Sequence, residues 1–146
     1  MKAYSAKDIK NIALLGSDGS GKTTLTETLL FHAGQIQRRG SITQKNTVSD
    51  YYPVEQDYGY SVFSTPFHVE WKGKKLNIID CPGSDDFVGA AVSAMAVTDT
   101  TVLLISQRIS TVMRCDTILC MDNGAVRGFG THDELMATCE TYREIY

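Results

Sequence analysis

The chain has 146 residues, 42% of them hydrophobic and 21% charged, so by the usual allowance of roughly 100 to 200 residues per domain it holds one domain at most. A formal charge of −3 gives no general electrostatic case for nucleic acid, and sequence-specific nucleic-acid binding is not expected; the only local basic group is Arg38, Arg39 and Lys45, which a solvated loop explains equally well. The opening MKAYSAKDIK has no apolar signal core. The most apolar run, residues 87–105, is broken by Asp99 and falls short of the roughly 20 residues a membrane span needs, so a cytoplasmic protein with no membrane segment is expected. Cys81, Cys115, Cys120 and Cys139 form no CxxC pair and read as reduced thiols rather than metal ligands.

In chain order, residues 9–15 (IKNIALL) predict a buried strand and residues 23–32 (TTLTETLLFH) a helix, ending with Gly34 as its C-cap. Between strand and helix stands Gly16-Ser17-Asp18-Gly19-Ser20-Gly21-Lys22-Thr23, a full match to GxxxxGK[ST]. Its glycines let the backbone turn tightly with N–H groups aimed at phosphate oxygens. Lys22 sets a positive charge against the β/γ-phosphates, Thr23 is placed to ligate Mg²⁺, and the amides of the helix start, Thr24 included, complete an anion site. The octet alone does not name the base.

Residues 35–58 are long, polar and without period, and loops beyond about 12 to 15 residues are usually functional or disordered. Residues 60–71 (YSVFSTPFHVEW) and 75–79 (KLNII), joined by Lys72-Gly73, predict an antiparallel hairpin, and Pro66 puts the first strand at an edge. The second strand ends in Asp80-Cys81-Pro82-Gly83. An Asp there can hold Mg²⁺ through water, and Gly83 can offer its N–H to a γ-phosphate. The fold class expected is α/β, a P-loop three-layer fold with a mostly parallel sheet and an antiparallel edge hairpin, truncated or chimeric.

At these residues the chain resembles the translational GTPases, and within them the amino-terminal part of bacterial elongation factor G. KNIALLGSDGSGKTTLTETLLF, NTVSDYYPVEQDYGYSV and LNIIDCPGSDDFVGAAVSAM carry the resemblance, in the family's order and approximate spacing, across residues 10–100. It implies GTP, Mg²⁺ and a ribosomal partner, with Thr23, Ser61 and Asp80 at the metal. The sequence departs from the family pattern in four places. Ser61 stands for the Mg²⁺-binding Thr of switch I, and Gly19 for an Asp of the phosphate loop, with Asp18 one position earlier. Ser84 stands for the His that helps place the attacking water, so among the catalytic positions Lys22 is kept and Ser84 is degenerate. Losing one positioning group costs about 10² to 10⁴ in rate, so binding is expected to outlast hydrolysis. Last, no NKxD for guanine occurs in the sequence.

Residues 101–146 resemble instead the carboxyl-terminal end of an ATP-binding cassette domain of the exporter type: TVLLIS as a buried strand, QRIST as a loop with Gln107 in the switch-His place, TILCMDNGAVRGFG as a hairpin about Asn123-Gly124, and THDELMATCETYREIY as one final helix capped by Thr131 and Glu134. The cassette's LSGGQ, Walker B Asp and adjacent Glu are missing, which excludes a working cassette. The division expected is residues 1–100 as a partial translational-type G domain and 101–146 as a cassette-like strand, hairpin and helix completing the same layer. The seam at residues 97–105 falls where both families place a buried strand. The GTPase order puts strand 75–79 on one side of strand 9–15 and strand 101–105 on the other; whether 117–121 joins the far edge is left open.

The reading favoured is a GTP- and Mg²⁺-binding domain with weak hydrolysis and reduced guanine selectivity. Its rivals are a fused remnant with no enzymatic role and a fragment of an ATP-binding cassette exporter. His32 at a helix end, His68 in the edge strand and His132 in a helix's first turn read as structural. Asp85 and Asp86 read as helix N-terminal charge, and Tyr51, Tyr52, Tyr58 and Tyr60 as packing of the long loop.

Overall fold

A computed structural model describes residues 3–98 and 101–145, so Asp99 and Thr100 in the predicted seam lie outside the described residues. The chain divides into two compact units, 1–105 and 106–146.

In the first unit, strand β1 (Ile9–Gly16) runs through the phosphate loop into helix α1 (Lys22–His32). Gly34, at φ +71°, ends the helix in a left-handed turn, and the Gln35 amide reaches back to the Leu30 carbonyl at 2.9 Å. A short helix α2 (Pro53–Tyr58) interrupts the long polar segment that follows. Strands β2 (Thr65–Trp71) and β3 (Lys74–Asp80) form the predicted hairpin, turning on Lys72 and Gly73, both at positive φ. A 3-10 turn over Asp85–Phe87, helix α3 (Val88–Val97) and strand β4 (Thr101–Ile105) complete the unit.

The sheet order is β2-β3-β1-β4, with β1 parallel to both neighbours and β2 antiparallel at the edge, where Pro66 costs no ladder bond to a further strand. This is the GTPase order. Alternation along the strands builds the three layers: Leu14, Val69 and Ile78 pack on one face with Leu30 of α1, while Ala13 and Cys81 pack on the other with Ala94 of α3. A central strand coated on both sides needs an apolar run on both faces, which IALL supplies.

The strand predicted from Tyr60 begins only at Thr65, because the backbone amides of Val62 and Phe63 are taken by the Glu55 carboxylate at 3.0 Å each and cannot enter a ladder. The segment 35–58, expected to lack regular structure, holds α2, with Pro53 in its first turn and Glu55 reaching back to the Tyr52 amide at 3.4 Å.

In the second unit, the predicted loop 107–111 forms a helical turn, α4 (Ile109–Val112). Strands β5 (Ile118–Asp122) and β6 (Ala125–Gly130) pair antiparallel about Asn123-Gly124, both at positive φ, as a two-stranded sheet of their own. The single helix predicted after Thr131 is two, α5 (His132–Thr138) and α6 (Glu140–Ile145), broken where Cys139 takes extended backbone. The Cys139 side chain seats against the β-strand glycine Gly128, where an added Cβ would meet Cys139 Sγ at 3.1 Å and Leu135 Cδ2 at 2.7 Å. Arg143 then hydrogen-bonds the freed carbonyls of Met136 and Ala137 at 3.1 and 3.2 Å, offsetting the break. Thr131 and Glu134 form the predicted capping box. Ile109, Ile118, Cys120, Leu135, Cys139 and Tyr142 make this unit's core.

Candidate phosphate-loop site

The turn from β1 into α1 brings the loop to the carboxyl end of the parallel strands, where open α/β sheets place ligands. A small cavity opens there, lined by Asp18, Gly19, Gly21, Lys22, Thr23, Ile42, Asp50, Gly59, Tyr60 and Ser61. Lys22 is buried, its ammonium donating to the carbonyls of Gly16 at 2.8 Å and Ser17 at 3.0 Å. Burial lowers its pKa, and the nearby carboxylates of Asp80 and then Asp18 oppose that shift.

Asp80 ends β3, 1% exposed, and its Oδ2 accepts from the Thr26 hydroxyl at 3.2 Å. Its other oxygen, Oδ1, is buried without a hydrogen-bond partner among the described residues. Burial pushes the carboxyl up to about 6, against the pull of Thr26 and Lys22. A folded pKa above the unfolded value near 3.8 means that Asp80 favours the fold most below about pH 4 and that this contribution is lost as the pH rises through about 6. Replacement by Asn is therefore expected to raise stability at pH 7.5 by roughly 2 kcal/mol relative to its effect at pH 4. Thermal melts of both proteins across that range check it.

The segment after α1 is held over this end of the sheet by two buried glutamates. Glu27, 2% exposed on the inner face of α1, accepts from the backbone amides of Gly40 at 2.6 Å and Val48 at 2.5 Å. Glu55, 1% exposed, takes the amides of Val62 and Phe63. Ser61, brought into the cavity by this fold, donates to Asp50 Oδ1 at 2.6 Å. Burial raises the Asp50 pKa, and the Ser61 bond counters the rise.

Of the residues picked from sequence, Gly19, Gly21, Lys22, Thr23, Asp18 and Ser61 meet at the cavity, and Gly16 and Ser17 supply carbonyls to Lys22. The Ser20 hydroxyl is buried without a hydrogen-bond partner among the described residues, and Thr24 lies in the first turn of α1, its carbonyl accepting from Thr28 at 2.8 Å. Gly83 packs directly on the loop: a Cβ there would lie 2.5 Å from Lys22 Nζ and 2.6 Å from the Asp18 amide nitrogen. Ser84 does not line the cavity; it begins the 3-10 turn and accepts from the Asp86 amide at 3.4 Å. Gln107 lies exposed in the second unit. His132, read as structural, is bonded to the Tyr142 hydroxyl at 3.0 Å.

Asp50, Glu27 and Glu55 were not singled out by sequence. A legible signal existed for Glu27, since positions 23, 26, 27 and 30 share the buried face of α1 and a carboxylate there needs partners. The tyrosines depart from the expectation of loop packing: Tyr51 is 54% and Tyr58 65% exposed, and they contact one another instead, Tyr51 with Tyr52 at 4.4 Å and Tyr58 with Tyr60 at 5.5 Å between ring centroids.

The sheet order and the loop, lysine and hydroxyl about one cavity define an α/β protein of the P-loop class. The sequence profile of the elongation factor Tu GTP-binding domain matches residues 7–119, and the chain belongs to that family. It is 35% identical over 104 residues to the mitochondrial ribosome-releasing factor 2 of Drosophila willistoni, covering 71% of this chain and 14% of that protein. It is 38% identical over 100 residues to peptide chain release factor 3 of Synechocystis, covering 66% and 18%. The chain thus spans less than a fifth of these relatives' length. A crystal structure of a Thermus thermophilus protein shares the fold at a TM-score of 0.66, with 22% identity, over 83% of this chain and 25% of that one. The family match crosses the seam and continues to Leu119. The cassette resemblance of residues 101–146 gains no support from these comparisons. Among the described residues no helix is long and apolar enough to cross a membrane.

Proposed function

We propose that the first unit binds the phosphates of GTP together with Mg²⁺ and hydrolyses it slowly, with little preference for guanine, as a part of a translational factor that acts on the ribosome in the cytoplasm. The convergence of Lys22, Thr23 and Ser61 on one cavity, with the unpaired Asp80 Oδ1 buried beside Lys22, carries this reading. An all-oxygen set suits a hard cation such as Mg²⁺. Thr23 and Ser61 would hold it directly and Asp80 through water; because Ser61 gives its proton to Asp50, its lone pairs stay free for a metal. When bound, the ion neutralises phosphate charge. The protein's own part is to fix the phosphates with loop amides and Lys22 and to position Gly83 against the far end. Family membership supports the guanine nucleotide, and the names of the two relatives support a ribosomal setting.

Slow hydrolysis follows from Ser84, whose short hydroxyl accepts from the Asp86 amide and which has no imidazole to offer a water. Weak base selectivity follows from the missing NKxD. The test is γ-labelled GTP in Mg²⁺ with ATP as competitor. Retention of GTP, displacement by ATP at comparable concentration and little phosphate release are expected. Rapid multiple turnover, or a guanine preference above about 100-fold, contradicts the reading.

A further inference from the structure

In the second unit the helix pattern runs on from residue 132 to 145, yet the helix is interrupted at Cys139, whose backbone is extended at φ −113° and ψ 107°. The interruption falls where Cys139 meets the hairpin. Cys120 of β5 and Gly128 of β6 stand opposite one another in the ladder, next to a shift of register between Cys120 and Met121, so the space over Gly128 lies alongside the Cys120 side chain. Cys139 fills that space. A Cβ on Gly128 would lie 3.1 Å from both the Cβ and the Sγ of Cys139, and the Cys139 thiol is close enough to act on Cys120 directly. Both cysteines are buried in the same core, among Ile109, Ile118, Leu135 and Tyr142. Two thiols on distant stretches of chain are thus held side by side, out of water.

We propose that Cys120 and Cys139 form a dithiol site that oxidised glutathione converts to an intramolecular disulfide, fastening the α5–α6 break to β5. In the first step one protein thiolate attacks a glutathione sulfur, breaking the glutathione S–S bond, expelling one glutathione thiolate and leaving a mixed disulfide. The second protein thiolate then attacks the protein sulfur of that bond and expels the other glutathione thiolate. The two protein thiols give up their protons to solvent and two electrons to glutathione, which leaves as two thiols. Burial pushes the Cys120 thiol up, and its Cys139 neighbour adds to the rise, so the attacking thiolate is scarce and oxidation is slow. Cys115 packs against the same core but is only half-buried, and it is the competing partner the test must separate. The inference concerns the second unit alone and is independent of the nucleotide reading of the first.

The experiment holds the full chain, reduced and folded, with excess oxidised glutathione, blocks remaining thiols with a maleimide, and cuts with a protease that cleaves ahead of aspartate. Cuts before Asp116, Asp122 and Asp133 put Cys115, Cys120 and Cys139 on separate fragments. One linked pair is expected, joining residues 116–121 to residues 133–146 and lost on reduction. Little glutathione should stay on either fragment, because the second step is intramolecular. Amide exchange over residues 132–145 should slow by about tenfold or more in the oxidised chain, since the link restrains the opening of α5 and α6. A link to Cys115 instead, lasting glutathione adducts on Cys120 or Cys139, or a pair that joins only in denaturant overturns the site. Exchange unchanged over residues 132–145 in the linked chain overturns the fastening.

Discussion

Glu27→Ala is expected to destabilise the first unit by on the order of 3 kcal/mol and to free the segment that covers the phosphate loop. The carboxylate is 2% exposed and accepts two backbone amides, from Gly40 and Val48, that belong to a stretch with no strand of its own. Truncation leaves both part-buried amides without their carboxylate partner, and hydrogen bonds to a charged group contribute about 1.5 to 3 kcal/mol each. Arg38, Arg39 and Lys45 lie in or beside the tethered stretch, so trypsin reports its release directly. The variant should be cut there under conditions that leave the native chain whole. Glu27→Gln, which keeps one acceptor and sets an N–H₂ against the other amide, should fall between them. Resistance to trypsin equal to that of the native chain would show that the segment is held by other contacts.

Lys22→Ala is expected to weaken nucleotide binding by at least roughly 100-fold, the size of one charge-assisted contact to phosphate. Folding should survive. The ammonium is buried, burial lowers its pKa, and it is matched by two loop carbonyls and nearby carboxylates. A melting temperature within a few degrees of the native one, with binding lost, is the result expected. The two variants separate a cover that must be tied down from a grip that must be charged.

The parts of this molecule legible in the sequence are those governed by local patterns. GxxxxGK[ST] marked the turn from an apolar strand into a helix at Gly16 to Thr23, Lys72-Gly73 and Asn123-Gly124 marked both hairpin turns, and Asp80 stood at its strand's end. What sequence missed depends on distant partners. The strand start at Thr65 is set by Glu55, and the ordering of residues 40–48 by Glu27, whose place on the buried face of α1 calls for partners without naming them. The break at Cys139 falls where its side chain seats against Gly128 on another element, while the helix pattern from residue 132 to 145 is continuous. The tyrosines fail for a related reason: an aromatic run reads as packing, but with Glu27 and Glu55 already securing the loop their rings are left largely outside, Tyr58 stacked on Tyr60 and Tyr51 tilted against Tyr52.

The most direct measurement of the phosphate grip is the ³¹P spectrum of GDP with Mg²⁺ as the chain is added. A shifted and broadened β-phosphate resonance with the native chain, absent with Lys22→Ala, is the result predicted. Phosphorus resonances that stay where they are at saturating folded protein would contradict it.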